Sequence, residues 1–170
     1  MRRMTLICLA FVLATACQHQ RPSLTDADRA AIADTVKKMV MTLFDAANHR
    51  DASRFVSLYA ADPDVHPVGN GAIYPSLEAF RAGADSFYQA IAAFDAKPGS
   101  EIRTMVLAPD AAATQVPLIF TVTTKSGKQV SGQGVYTALF QKRGGVWKIV
   151  RSHESDQHLD QLQQQIFGGH

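Results

Sequence analysis

Apolar residues recur along this chain at two different periods, and the change of period divides it. Met4 to Ala16 is first an almost unbroken apolar run behind the basic start Met1-Arg2-Arg3. From Thr25 the period is helical. Ile32, Val36, Met39, Val40, Leu43, Phe44 and Ala47 fall on one stripe and leave Lys37 and Lys38 outside. Thr25-Asp26-Ala27-Asp28 supplies an N-cap and two acids for the positive end of that helix. Asp51 caps a second, short helix carrying Phe55, Leu58 and Tyr59. Residues 61–74 are irregular, broken by Pro63, Pro67, Gly69, Asn70 and Gly71, with room for a brief strand at Val65 and Val68. Ser76 opens a third helix whose stripe, Leu77, Phe80, Ala84, Phe87, Tyr88, Ile91 and Phe94, is predicted to run to Pro98-Gly99.

After residue 100 the period becomes two. Glu101–Leu107, Gln115–Thr124, Gln129–Gln141 and Val146–Ser155 are rich in β-branched and aromatic residues. Turn signals at Pro109-Asp110, Ser126-Gly127 and Gly144-Gly145 separate them, which predicts an antiparallel meander of four strands. Pro117 lacks a ladder donor, so its strand should start or bulge there. Helices first and strands afterwards define an α+β fold. The apolar helix faces need a curved antiparallel sheet wrapped around the N-terminal helices, a cone closed at one end and open at the other.

The order helix, short helix, Asp-containing loop, third helix and meander resembles the nuclear transport factor 2-like superfamily, in its SnoaL-like branch. Three stretches carry the resemblance: Leu58-Tyr59-Ala60-Ala61-Asp62-Pro63-Asp64-Val65, Gly71-Ala72-Ile73-Tyr74 leading into Glu78-Ala79-Phe80, and the closing strand Gly145 to Ser155. It covers roughly residues 28–156. The resemblance implies a conical fold, a pocket between sheet and helices, and homodimers packed through the sheet. It implies no single reaction, since isomerases, dehydratases, epoxide hydrolases and plain binding modules share the architecture.

The apolar run at the N-terminus spans only about 20 Å as a helix, short of a bilayer core of about 30 Å, so residues 1–16 are expected to be a secretory signal peptide. Leu13-Ala14-Thr15-Ala16-Cys17 resembles the lipobox of bacterial lipoproteins, which implies lipidation of Cys17 and attachment to the cell envelope. Ala14-Thr15-Ala16 also fits an ordinary signal cleavage site, the alternative, which would leave a soluble periplasmic protein. Residues 17–24 then form a tether, 25–156 the SnoaL-like domain and 157–170 a tail. Leu159, Leu162 and Ile166 in that tail are spaced for a helix that covers the mouth of the cone or frays. Removal of Arg2 and Arg3 reduces seventeen basic residues to fifteen, against fifteen acids, so nucleic acid is not an expected partner. The lipid would be the only membrane contact. Cys8 leaves with the signal, so no internal disulfide can form around Cys17. About 150 residues remain, enough for one cored domain.

The candidate chemistry lies in two places. Trp147, Ile149, Arg151, His153 and Ser155 alternate onto one side of the last strand. If that side is concave, His153 is a proton donor or acceptor in the pocket, with Arg151 and Ser155 beside it; otherwise His153 bonds a loop carbonyl. Asp64 and His66, with Asp62, alternate in the loop and would form an acid-base pair in an extended segment. Three convergent ligands are missing there, so no metal is expected, and no cofactor fingerprint occurs. Tyr59, Tyr74, Tyr88 and Tyr136 are candidate pocket-lining phenols, although for each taken singly a core position with one satisfied hydroxyl is the first expectation. The leading expectation is a domain that binds a small apolar or amphipathic molecule. The alternatives are an isomerase, dehydratase or hydrolase using a pocket His/Asp pair, and a dimerisation or assembly module.

Overall fold

A computed structural model describes residues 24–168. The signal segment, Cys17 and the tether to Ser23 lie outside the described residues. The long helix α1 (Asp26–Asn48) starts on a complete capping box, Thr25 bonding the Asp28 N–H while the Asp28 carboxylate reaches back. Val36, Val40, Leu43, Phe44 and Ala47 are buried, the stripe that the helical period predicts. Helix α2 (Ala52–Ser57) is capped by the Asp51 side chain. The loop that follows holds a two-residue hairpin, β1 (Val68–Gly69) and β2 (Ala72–Ile73), closed through Asn70 and Gly71, both at positive φ. Val68 is in a strand as expected. Val65 is buried but outside one, because its N–H turns back to Asp62.

Helix α3 (Leu77–Ala90) starts at the Ser76 cap but stops eight residues before the expected end. Ile91–Pro98 is instead a strand, β3. It pairs antiparallel with the far half of β5 (Ala111–Thr124), Phe94 opposite Val122 and Pro98 opposite Leu118. Phe94-Asp95-Ala96-Lys97 alternates apolar and charged, and only a strand keeps Asp95 and Lys97 out while Ala96 is buried. Strand β4 (Arg103–Ala108) pairs with the near half of β5. Long strands β6 (Gln129–Arg143) and β7 (Val146–Asp156) complete the sheet.

The expected meander of four is therefore a larger sheet, ordered β2-β1-β7-β6-β5-β3 with β4 also on β5. All pairings are antiparallel except β1 with β7. Strand β5 neither starts nor bulges at Pro117. It runs straight through, with residues 112 to 124 buried at every second position. The Pro117 carbonyl accepts from Gly99 on the side away from β6, at the junction where β4 gives way to β3, so the missing donor disrupts no ladder. Helix α1 lies against β3, β4 and β5, and the two sides share one core. The tail forms α4 (Leu159–Phe167), entered through His158 at positive φ, with Leu162 buried and Phe167 against Phe87. It packs on the cone.

Candidate functional site

The last strand decides what faces the inside. Opposite Leu139 and Phe140 the register of β7 slips: Arg151 pairs with Leu139 and Ile149 with Phe140, leaving Val150 as an extra residue. Ile149 and Val150 are consecutive buried residues, and beyond them the alternation is inverted. Ser152, Glu154 and Asp156 turn inward, while Arg151, His153 and Ser155 stand exposed on the other face.

Between the sheet and α1, α2, α3 and α4 lies a cavity of about 410 Å³. Aromatic rings from α3 and its neighbours wall one side, Phe80 meeting Phe55, Tyr59 and Tyr74 with centroids 4.9–5.6 Å apart. The opposite wall is polar. The Tyr59 hydroxyl lies 3.0 Å from Ser152 Oγ and 3.4 Å from the Tyr136 hydroxyl, all three residues being buried. Desolvation pushes the Tyr59 phenol up to about 12 and the Tyr136 phenol well above its usual range, so both remain protonated hydrogen-bonding groups. Burial likewise raises Tyr88, with the nearby Glu154 charge adding to it.

Glu154 is the ionisable centre of this wall. Its side chain is partly buried, and among the described residues its carboxyl has no hydrogen-bond or ion-pair partner. Burial, and then the neighbouring Asp156, push it from 4.5 up to about 7. Asp156 is raised too, chiefly by burial, although Asn70 donates to its Oδ2 at 3.1 Å and takes its backbone N–H at 3.0 Å. Its Oδ1 is buried without a partner. A carboxyl that changes charge near neutrality, in an aromatic cavity, can accept or donate a proton or bind a positive group.

Of the residues singled out from the sequence, Tyr59, Tyr74, Tyr88 and Tyr136 all line the cavity. His153 does not: it is exposed, lies opposite Thr137 and Val68 in the sheet, and points away because the bulge at Val150 inverts the strand. Arg151 is drawn outward to donate to the Asp64 carbonyl, and Ser155 is exposed. Trp147 packs on the core ahead of the bulge, outside the cavity lining. The segment from Asp62 to His66 is not extended, so its side chains diverge. Asp62 turns back to the Asp64 N–H and pairs with Arg143 at 3.3 Å, Asp64 is exposed, and His66 Nδ1 sits 3.2 Å from the Tyr74 carbonyl. Asp64, His66 and His153 thus form no acid-base group. Among the described residues no three His, Cys, Asp or Glu side chains converge as metal ligands. Sequence reasoning missed Ser152, Glu154 and Asp156. The signal for them was the adjacent pair Ile149-Val150, which breaks the alternation of a regular strand.

Comparison with known proteins matches this arrangement. The family described as the SnoaL-like domain covers residues 36–159. No curated protein sequence matches the chain significantly. Among solved structures, a nuclear transport factor 2-like superfamily protein from Salmonella enterica serovar Typhimurium superposes with a TM-score of 0.69 at 13% identity, over 75% of this chain and 92% of its own. A hexachlorocyclohexane dehydrochlorinase from Novosphingobium barchaimii gives 0.66 at 18% identity, over 79% and 92%. An uncharacterised protein of cystatin-like fold from Caulobacter vibrioides gives 0.63 at 23% identity, over 75% and 91%. At these identities the likeness is one of fold.

Proposed function

The chain belongs to the SnoaL-like domain family, and from that premise we propose that it binds a small, largely apolar molecule whose polar end faces Tyr59, Ser152 and Glu154. The observation that carries this reading is the cavity of about 410 Å³, with aromatic rings on one side and that polar strip on the other. Its size falls within the ~300–1,000 Å³ of small-molecule sites, and such sites combine apolar walls with a few placed polar groups. Leu159, Leu162 and Ile166 of α4 line one side and would shield a bound molecule from water there. The test is native mass spectrometry of the protein extracted from its own host, beside an Ala84→Phe variant that fills the cavity. A retained small molecule in the wild type that is lost in the variant supports the reading. Absence of any retained molecule, together with unchanged binding of added apolar probes in the variant, would contradict it.

A second reading, catalysis, is favoured by one observation: the unpartnered Glu154 carboxyl changes charge near pH 7 beside three phenols. It would take a proton from a bound molecule while Tyr59 or Tyr136 donates a hydrogen bond to the charge that develops. One neighbour in fold is named a dehydrochlorinase, which keeps an enzymatic role open for the same cavity. Turnover lost on Glu154→Gln with ligand binding retained would separate the two readings.

Export, attachment to the envelope through Cys17 and pairing of two copies through the sheet belong to the same proposal. The run from Met4 to Ala16 supports the first, and the lipobox-like Leu13-Ala14-Thr15-Ala16-Cys17 the second. The exposed apolar side chains of Ile119, Val135 and Met105 on the sheet support the third.

A further inference from the structure

The charge inside the cavity has one sign. Among the described residues, the side chains that line it include eleven aromatic residues, two carboxylates and no lysine, arginine or histidine. In most proteins a buried carboxylate is paired with a cation or held by several donors, since an isolated buried charge is costly. Here Asn70 satisfies one oxygen of Asp156, the other is buried with no partner, and Glu154 has none among the described residues. Among the described residues no side chain supplies the compensating charge.

We infer that the cavity takes an organic cation: a small amphipathic amine or quaternary ammonium whose positive end lies between Glu154 and the surrounding aromatic rings. The inference rests on the binding role proposed above and specifies its ligand class. Aromatic faces attract cations through their quadrupole, most strongly where water is excluded. Tyr59, Tyr88 and Tyr136 lie near enough for the Glu154 charge to act on each of them. Carboxylate and aromatic side chains therefore line the same volume, and the apolar remainder toward Phe87, Phe94 and α4 accommodates a hydrocarbon body. An anionic molecule would meet two like charges and only neutral donors. The groups facing Glu154 are Asp156 on its own strand, Tyr136 on β6, Tyr59 after α2 and Tyr88 on α3, with Asp51 and Asp85 acting on Tyr88 from farther out. Because a bound cation favours the ionised carboxylate, binding should expel a proton from Glu154 below neutrality, and affinity should rise between pH 6 and pH 8.

The experiment compares two probes of equal shape on the full chain: benzyltrimethylammonium and neopentylbenzene, which differ only in nitrogen for carbon at the branch point. Equilibrium dialysis at pH 8 should show the cation bound at least tenfold more tightly. That preference should shrink several-fold at pH 6 and collapse in Glu154→Gln, with Asp156→Asn as an independent second variant should the first fold poorly. Equal or tighter binding of the neutral probe overturns the cation inference and leaves the binding cavity standing. Failure of both probes to bind overturns the inference and the binding role together.

Discussion

The side-chain amide of Asn48 grips both backbone groups of Ala96, donating to its carbonyl at 2.9 Å and accepting its N–H at 2.7 Å. Ala96 lies on β3, the last strand of the sheet, and Asn48 is the final residue of α1. The amide thus occupies the hydrogen-bonding position of an absent neighbouring strand. It ties the edge to the helix and protects it from edge-to-edge pairing.

Asn48→Ala should therefore cost about 1–3 kcal/mol, the cost of leaving two part-buried backbone groups unpaired. Asn48→Asp should cost at least as much, because it removes the donor and sets a negative charge against the Ala96 carbonyl. Urea unfolding of the two variants checks this, with a shifted midpoint expected and a wild-type midpoint counting against it.

The buried contact between Tyr59 and Ser152 predicts coupling. Tyr59→Phe and Ser152→Ala each leave a buried hydroxyl with fewer partners and should cost about 1–2 kcal/mol. The double variant should cost less than the sum, since the contact between Tyr59 and Ser152 is then lost only once. A double-mutant cycle in denaturant measures the difference.

Glu154 has a higher pKa folded than unfolded, so the folded protein binds more protons between pH 4.5 and pH 7. Stability must then fall as pH rises through that window and stay low above it, with Asp156 adding the same trend in its acidic part. Glu154→Gln should flatten the profile and be more stable than wild type above pH 7, by about 1–3 kcal/mol. Thermal unfolding from pH 4.5 to 8 checks the slope. An unchanged slope in the variant would assign the pH dependence elsewhere.

Gly134 lies opposite Asp156 in the ladder between β6 and β7. A Cβ built there would stand 2.4 Å from the Ser155 carbonyl and 2.6 Å from Asp156 Oδ1. Gly134→Ala must push β7 away and should cost about 1–3 kcal/mol, the scale of an overpacked interior. It should also weaken ligand binding, by displacing Asp156 from Asn70. Gly127→Ala is the control at a turn, its own strain coming from positive φ and not from contact.

The helical stripe of α1, the caps at Thr25, Asp51 and Ser76, and the turns at Ser126-Gly127 and Gly144-Gly145 were legible because each is a local signal. Strand β3 was not, since Ile91 and Phe94 continue the three- and four-residue spacing of Ala84, Phe87 and Tyr88. Pairing with β5, a tertiary term, overrides that periodicity. The four tyrosines of the cavity were legible as amphipathic residues on predicted apolar faces. The face of β7 was not, because one extra residue at Val150 exchanges the inner and outer sets. The histidine and arginine that alternation assigns to the pocket go outside, and Ser152, Glu154 and Asp156 on the alternate positions go in.

The polar wall of the cavity depends on that exchange, and the Glu154 carboxyl reports it directly. Carbon-13 NMR of the side-chain carboxyl, followed from pH 3 to pH 9 in the ligand-free protein, should give a midpoint near 7 for Glu154. A midpoint near 4.5 would place this carboxyl in open solvent, and the cavity wall built on it would have to be abandoned.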